Sequence, residues 1–300
     1  MDLTGKVAVV TGSGRGLGRA YALALAEAGC AVVVNDVDPE PAQETVELAR
    51  ALGGTAVAEI VPVGEAEAAE ALVRRAVDEF GRLDVMCTNA GVLRDRVLWK
   101  MSDEDFDLVV HTHLRGTFTC ARAAVQHMRA QGEGGRLIVV GSPAGQRGNF
   151  GQTNYSAVKA GIAAFARTWS MECARDRITV NALIPTALTR MVATIPAFEP
   201  YVRQLEEGQP LSRKVRQQFA LGPPEDAAGL VVFLASEAAS AITGQCIGIG
   251  GDKLSMWSHP TEVSAAYVDG GWSADAIAEM WSTTVGQAVQ SVGGMIPEPD

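Results

Sequence analysis

The sequence predicts an α/β fold in which a doubly wound parallel sheet of about seven strands carries helices on both faces. Three observations predict it. Short apolar runs alternate with helical segments along the chain: Val7 to Val10, Ala31 to Val34, Ala56 to Val61, Val85 to Thr88, Leu137 to Val140, Thr179 to Leu183 and Cys246 to Ile249. The first run, Lys6 to Thr11, has no charge after its first residue, so it suits a strand covered on both faces. A glycine-rich turn follows directly, and it opens onto an alanine- and leucine-rich stretch, Arg19 to Ala28, that stops at Gly29.

That turn, Gly12-Ser13-Gly14-Arg15-Gly16-Leu17-Gly18, has the composition of a phosphate site. Glycines let a backbone approach a pyrophosphate closely, and the free N–H groups and dipole of the following helix favour an anion. The second run ends at Asn35-Asp36, about twenty residues past the glycines. A carboxylate there accepts hydrogen bonds from adenosine ribose hydroxyls and repels a 2′-phosphate, which favours NAD over NADP. Arg15 pulls toward NADP if it meets that phosphate, and is neutral in this respect if it serves the pyrophosphate or the helix start.

The chemistry is expected farther along. Tyr155 and Lys159 stand four residues apart in a helix expected over 152–170, and Ser142 follows the fifth run. An i, i+4 spacing puts phenol and ammonium on one face. A fixed cation draws a tyrosine down from its free pKa of about 10 toward the working range of a base. Ser142 would hold the reacting oxygen. The pair also has a bland reading, as an aromatic body beside a snorkelling lysine. The segment from about Thr186 to Leu221 is richer in proline and charge, and is expected to be a mobile lid over the substrate.

Composition narrows the partners. Hydrophobic residues make up 47% and charged residues 20% of 300 residues, enough for a sizeable core, and one domain is favoured. A formal charge of −10 with a pI near 5.0 argues against nucleic acid or an anionic membrane. Arg94, Arg96, Arg147 and Lys253 are candidates to greet an anionic substrate, or are ordinary surface charge. The five scattered cysteines read as free thiols in a reducing compartment; with no signal ahead of Lys6 and no membrane-length apolar run, a cytoplasmic location is expected. His111 and His113 lack the company a metal site needs, so no metal is expected.

The chain resembles the short-chain dehydrogenase/reductase family from about residue 3 to 251. The residues carrying the likeness are Thr11-Gly12, Gly16 and Gly18, then Asn89-Ala90-Gly91, Ser142 with Tyr155 and Lys159, Pro185 with Thr189, Pro224-Glu225-Asp226 and Ile242-Thr243-Gly244-Gln245. The resemblance implies a Rossmann-type fold, with the asparagine turn supporting the sheet beside the adenine and Ser142, Tyr155 and Lys159 as catalytic residues. It further implies that Lys159 binds the nicotinamide ribose, and that Pro185 and Thr189 contact its carboxamide. A narrower likeness runs through Tyr21, Val33 to Asp36, Val92 to Arg96, His113 to Gly116 and Gly148 to Gln152. These resemble the (3R)-hydroxyacyl-CoA dehydrogenase unit of peroxisomal multifunctional enzymes and its bacterial relatives. That implies a small-molecule substrate: a 3-hydroxyacyl-CoA, or a steroid- or lipid-derived alcohol. A catalytically silent dinucleotide-binding sensor or scaffold is the second class of function.

The chain departs from the family in several places. His113 stands where the wider family has an asparagine that anchors a relay water; it is either a catalytic participant or a polar residue at a helix kink. The family's adenine-binding aspartate is missing around Glu59 to Gly64, which implies either looser adenine selectivity or substitution by Glu59 or a backbone group. Thr88 replaces a second asparagine, and Thr186 replaces the glycine usual after Pro185. The dehydrogenase domain is expected over 1–251, with 252–300 an extension packed on its own domain or a neighbour. Within it Thr261 and Ser273 are expected to cap short helices, and 293–300 to fray. Family members form dimers or tetramers through helices that here span about Asp103 to Gln131 and Gln152 to Asp176. The apolar side chains Ile162, Phe165, Ala166 and Trp169 would line such an interface or face their own sheet.

Overall fold

The computed structural model describes residues 1–189, 192 and 197–293. Eight strands form one sheet: β1 (Val7–Val10), β2 (Ala31–Asp36), β3 (Thr55–Ile60), β4 (Val85–Thr88), β5 (Gly135–Val140), β6 (Ile178–Pro185), β7 (Cys246–Gly250) and β8 (Lys253–Trp257). Their order is β3-β2-β1-β4-β5-β6-β7-β8. The first seven run parallel in register, with Val7 opposite Ala31 and Val85 opposite Arg136. The chain reverses direction across the sheet between β1 and β4, the crevice in which such sheets bind ligands.

The helices are α1 (Gly16–Glu27), α2 (Pro39–Ala51), α3 (Ala66–Phe80), α4 (Asp103–Val109), α5 (Gly116–Gln131), α6 (Pro143–Arg147), α7 (Thr153–Glu172), α8 (Glu199–Glu206), α9 (Arg213–Gln217), α10 (Ala228–Ala235) and α11 (Ala274–Met280). Alternation along β1 shows why both sheet faces need cover. Ala8 and Val10 pack with Tyr21 and Leu25 of α1, Val46 of α2 and Val231 of α10, while Val7 and Val9 pack with Leu72 of α3, Met128 of α5 and Ile162 of α7. The helix expected over Asp103 to Gln131 is interrupted by a π-helical turn at Val110–Arg115, which carries His113.

An eighth strand extends the sheet of about seven that the sequence predicts. Lys253 to Trp257 folds back antiparallel on β7 across Gly251-Asp252, so the boundary expected at 251/252 falls inside the sheet. The strand was hidden because exposed Leu254 and Met256 alternate with the half-buried Ser255 and Trp257, a short pattern typical of an edge. Beyond it, Ser273 caps α11 by accepting a bond from the Ala276 amide, whereas Thr261 starts no helix. Gly293 donates its amide to the Arg147 carbonyl of α6, and the Arg147 guanidinium lies 4.9 Å over the Trp257 ring. Both ends of the described extension therefore touch their own chain. Of the 293–300 segment expected to fray, Gly293 is held by its bond to Arg147 and 294–300 lie outside the described residues.

Ile162 and Ala166 are buried against their own sheet, so they are not available to a second subunit. Phe165 and Trp169 stack on one another at 4.3 Å and stay half-buried. In the segment expected to be a lid, Leu188, Val202, Leu211, Val215 and Leu221 form a small core of their own, and Arg216 ties it to the sheet through Asp226 at 3.0 Å and Asp252 at 2.6 Å. Residues 190, 191 and 193–196 of that segment are outside the description. No helix among the described residues is long and apolar enough to cross a membrane.

Candidate active site

The glycine turn is built by close approach. Gly12 has φ of 62°, and a β-carbon on it would stand 2.7 Å from the Ala90 α-carbon. Asn89 donates its side-chain amide to the carbonyls of Thr11 and Gly12, both at 3.0 Å, while the Thr11 hydroxyl accepts the amides of Asn89 and Ala90. The Asn89-Ala90-Gly91 turn thus clamps the loop against the end of β4. Arg15, at the start of α1, makes no capping bond with its side chain, and the first turn of α1 holds no acid. Its leading N–H groups remain available to an anion, which fits the diphosphate of a dinucleotide. Thr189 reaches the same loop, its methyl lying 3.7 Å from where a β-carbon on Gly16 would be. Pro185 ends β6 beside it.

Asp36 closes the loop from the second strand. One carboxylate oxygen accepts the Gly14 amide at 2.9 Å, and the other accepts the amides of Val37 and Asp38. This fixes the carboxylate at the mouth of the loop and leaves acceptor capacity on the oxygen that meets Gly14. Arg15 turns to Asp38 at 2.7 Å. Glu59, offered as a stand-in for the missing adenine aspartate, lies 3.9 Å from Arg75, and its backbone carbonyl accepts from Asn35. Its side chain is drawn to α3.

The parallel strands bring the second cluster to the same edge. Ser142 follows β5 and caps α6, accepting the Ala144 amide at 3.2 Å. Tyr155 and Lys159 project from the first turns of α7, with the ammonium 5.6 Å from the phenol ring centre. Lys159 is buried and donates to the Val140 carbonyl at 2.6 Å. Burial pulls its pKa down to about 7. The phenol is pushed up, first by burial and further by the Asp95 charge, and hydrogen bonding with Ser142 pulls it partly back. The expectation that Lys159 sets a low tyrosine pKa is therefore corrected for the protein alone. Desolvation disfavours both charged forms, and the downward pull on Tyr155 comes from Ser142.

His113 meets this cluster edge-on, its ring 5.4 Å from that of Tyr155. Burial and the nearby Lys159 lower its pKa to about 3, so it is neutral at physiological pH. Nε2 lies 3.0 Å from the Val92 nitrogen and 2.8 Å from the Val92 oxygen, accepting from the amide in one tautomer or donating to the carbonyl in the other. Nδ1 is buried without a partner among the described residues.

A brace around Tyr155 was not read from the sequence. Gln152 donates to Asp95 at 2.8 Å, Asn149 donates to Gln152 at 3.0 Å, the Arg96 amide donates to the Gly151 carbonyl, and Asn154 donates to the carbonyls of Arg94 and Asp105. Asn154, immediately before Tyr155, is fully buried. A polar residue adjoining a candidate catalytic one was the available signal; its partners Arg94 and Asp105 lie 60 and 49 residues away. Among the basic candidates, Arg94 is drawn to Asp105 at 3.6 Å and Arg147 lies over the Trp257 ring at 4.9 Å.

Comparison with known proteins agrees with this arrangement. The family model described as Enoyl-(Acyl carrier protein) reductase matches residues 12–251. The chain is similar to the peroxisomal multifunctional enzyme type 2 of Mus musculus, 46% identical over 200 residues covering 64% of this chain and 27% of that protein. It thus spans about a quarter of that relative's length. Hydroxyacyl-CoA dehydrogenase ChsB1 of Mycobacterium tuberculosis is 40% identical over 273 residues, covering 86% of this chain and 81% of the relative. The crystal structure of a short chain dehydrogenase from Mycobacterium avium superposes with a TM-score of 0.84 at 33% identity, over 98% of this chain and 100% of that one, so the likeness includes the extension. With a matching family model over most of its length and the fold beneath it, the chain belongs to the short-chain dehydrogenase/reductase family of oxidoreductases.

Proposed function

We propose that the protein is an NAD-dependent dehydrogenase that moves hydride between nicotinamide and a secondary alcohol or ketone, with a 3-hydroxyacyl-CoA or a steroid- or lipid-derived alcohol as substrate. The observation that carries this reading is the meeting of Ser142, after β5, with Tyr155 and Lys159 of α7, two separate stretches of chain, at the strand edge that also carries the glycine loop. The relatives named hydroxyacyl-CoA dehydrogenase and multifunctional enzyme support the substrate class.

The nicotinamide cofactor, when bound, supplies the hydride acceptor in its oxidised form and the hydride donor in its reduced form. The loop amides and the start of α1 would hold its diphosphate, Asp36 its adenosine ribose, and Thr189 and Pro185 its nicotinamide end. Lys159 has three donors and spends one on Val140, so two remain for ribose hydroxyls. Ser142 orients the substrate oxygen, and Tyr155 exchanges a proton with it at Oη. The raised pKa keeps the phenol protonated at neutral pH, the form that donates to a carbonyl in the reducing direction. His113 buttresses the phenol ring from the π-helical turn as a neutral imidazole.

Tyr155→Phe should lower turnover at least ~10²-fold while dinucleotide binding persists, measured by nicotinamide absorbance with a panel of acyl-CoAs, steroids and simple alcohols. Near wild-type turnover in that variant would sink the mechanism. A wild-type protein that binds dinucleotide and turns over nothing in the panel would leave the silent sensor in its place.

Two further readings accompany this one. The five cysteines are all buried and unpaired, which supports a reducing, cytoplasmic setting. The stacked Phe165 and Trp169, with partly exposed Phe106, Leu108 and Phe118 on α4 and α5, support a homodimer or homotetramer through these helices. Light scattering that gave a monomer at working concentration would refute the assembly.

A further inference from the structure

Two arginines flank the mouth of the glycine loop, and each is held by an acid from the β2–α2 side. Arg15 meets Asp38 at 2.7 Å, and Arg19 meets Glu44 at 2.6 Å. Arg19 is also anchored inward: its guanidinium donates to the Gly14 carbonyl and to the Thr45 hydroxyl. Arg15, Gly16, Arg19 and Glu44 line one open cavity beside Gly14, whose amide is bonded to Asp36. The pairs are close enough to feel each other, because Arg19 first and then Arg15 hold the Glu44 carboxyl below the usual range.

This arrangement bears on the adenosine ribose, whose place the loop and Asp36 define. A 2′-phosphate there would seek arginines, and two are within the cluster. Of the five charged side chains tied together here, Arg15 and Arg19 are positive and Asp36, Asp38 and Glu44 are negative. The count is therefore −1, and a phosphate of about −1.5 to −2 charge is disfavoured. Without the charges of Asp38 and Glu44 the same cluster counts +1, with the Arg15 fork released and Arg19 freed of Glu44 while still held by Gly14 and Thr45. Each ion pair is partly exposed and weak as a stabiliser of the fold. Their effect is on which ligand the arginines are free to meet.

We infer that Asp38 and Glu44 are specificity-determining residues, which occupy Arg15 and Arg19 and so reserve the site for a dinucleotide without a 2′-phosphate. This deepens the NAD-dependent reading and rests on it. Asp36 alone does not account for the choice, since the arginines beside it would otherwise reward the phosphate.

The test is calorimetric titration of NAD and NADP into the full chain and into the double variant Asp38→Asn, Glu44→Gln. The wild type should bind NAD more tightly. In the variant NADP affinity should rise about tenfold at low salt, with NAD affinity changed less than about threefold, and the gain should shrink as salt screens these exposed charges. Adding Arg15→Ala to the double variant should erase most of the gain, and melting curves check that all variants fold. Unchanged NADP affinity in a folded double variant that still binds NAD would overturn the inference and leave Asp36 as the sole discriminator. A gain that survives loss of Arg15 at every salt concentration would also overturn it. A wild-type protein that binds neither dinucleotide overturns the functional reading itself, and this inference with it.

Discussion

The glycine loop and the Tyr155 cluster sit at one edge of the same sheet and treat their polar groups in opposite ways. Around the loop, Thr11, Ser13, Asn35 and Asn89 are all hydrogen-bonded, mostly to backbone, and Arg19 and Asp36 close the remaining gaps. Around Tyr155, Nδ1 of His113, Oδ1 of Asp95 and Oγ of Ser156 are buried without partners among the described residues, and Lys159 has one bond for three donors. Unpartnered buried polar groups cost stability, and they persist where a site needs them. The loop itself is a bonded scaffold whose free valence is backbone N–H, although Thr88 Oγ1 and the Tyr21 hydroxyl behind it are buried without partners among the described residues. The cluster holds side chains in a disfavoured state, ready for a ligand's polar atoms. Substitutions in the two regions should therefore move stability in opposite directions.

The larger effect belongs to the loop. A β-carbon on Gly18 would run into the Gly12 carbonyl and stand 2.6 Å from the Asn89 side-chain nitrogen. Both atoms are bonded to each other, at 3.0 Å, so neither can retreat without breaking the clamp. Gly18→Ala should destabilise the fold by about 2–3 kcal/mol, in the range of overpacked cores, and abolish dinucleotide binding. Melting curves and titration read the two losses. Wild-type stability in this variant would show that the loop can spread, and would remove one side of the contrast.

How far each region was legible in the sequence follows from the range of its interactions. The strands and the loop were readable because each is a local pattern: Val7 to Val10 is an uncharged run, and Gly12 to Gly18 marks close approach within seven residues. Ser142, Tyr155 and Lys159 were readable from side-chain chemistry and one helical spacing. The brace was not, since Gln152 finds Asp95 only after β5 and α7 are packed. The state of Lys159 was not readable either: its charge looks decisive in sequence, while its burial under α7 and β5 is a property of the packed chain. The inward turn of Ile162 and Ala166 was one of two open readings, and only the position of the sheet decides between them.

The smaller effect belongs to the cluster, and has the opposite sign. Lys159→Met keeps an unbranched stem of similar length and removes the ammonium and its bond to Val140. The folded pKa of about 7 lies below the unfolded value of 10.5. Between these values the unfolded chain binds a proton that the folded chain does not. The penalty from Lys159 is therefore absent above 10.5, grows as pH falls from 10.5 to about 7, and is constant below that. At pH 7 the variant should be inactive and yet more stable than the wild type by about 2 kcal/mol, a part of what the shift alone implies because the Val140 carbonyl loses its donor. The advantage should fade when the melts are repeated toward pH 10.5. A variant no more stable than the wild type at pH 7 would mean that Lys159 carries its charge without cost, and that the cluster is as fully satisfied as the loop.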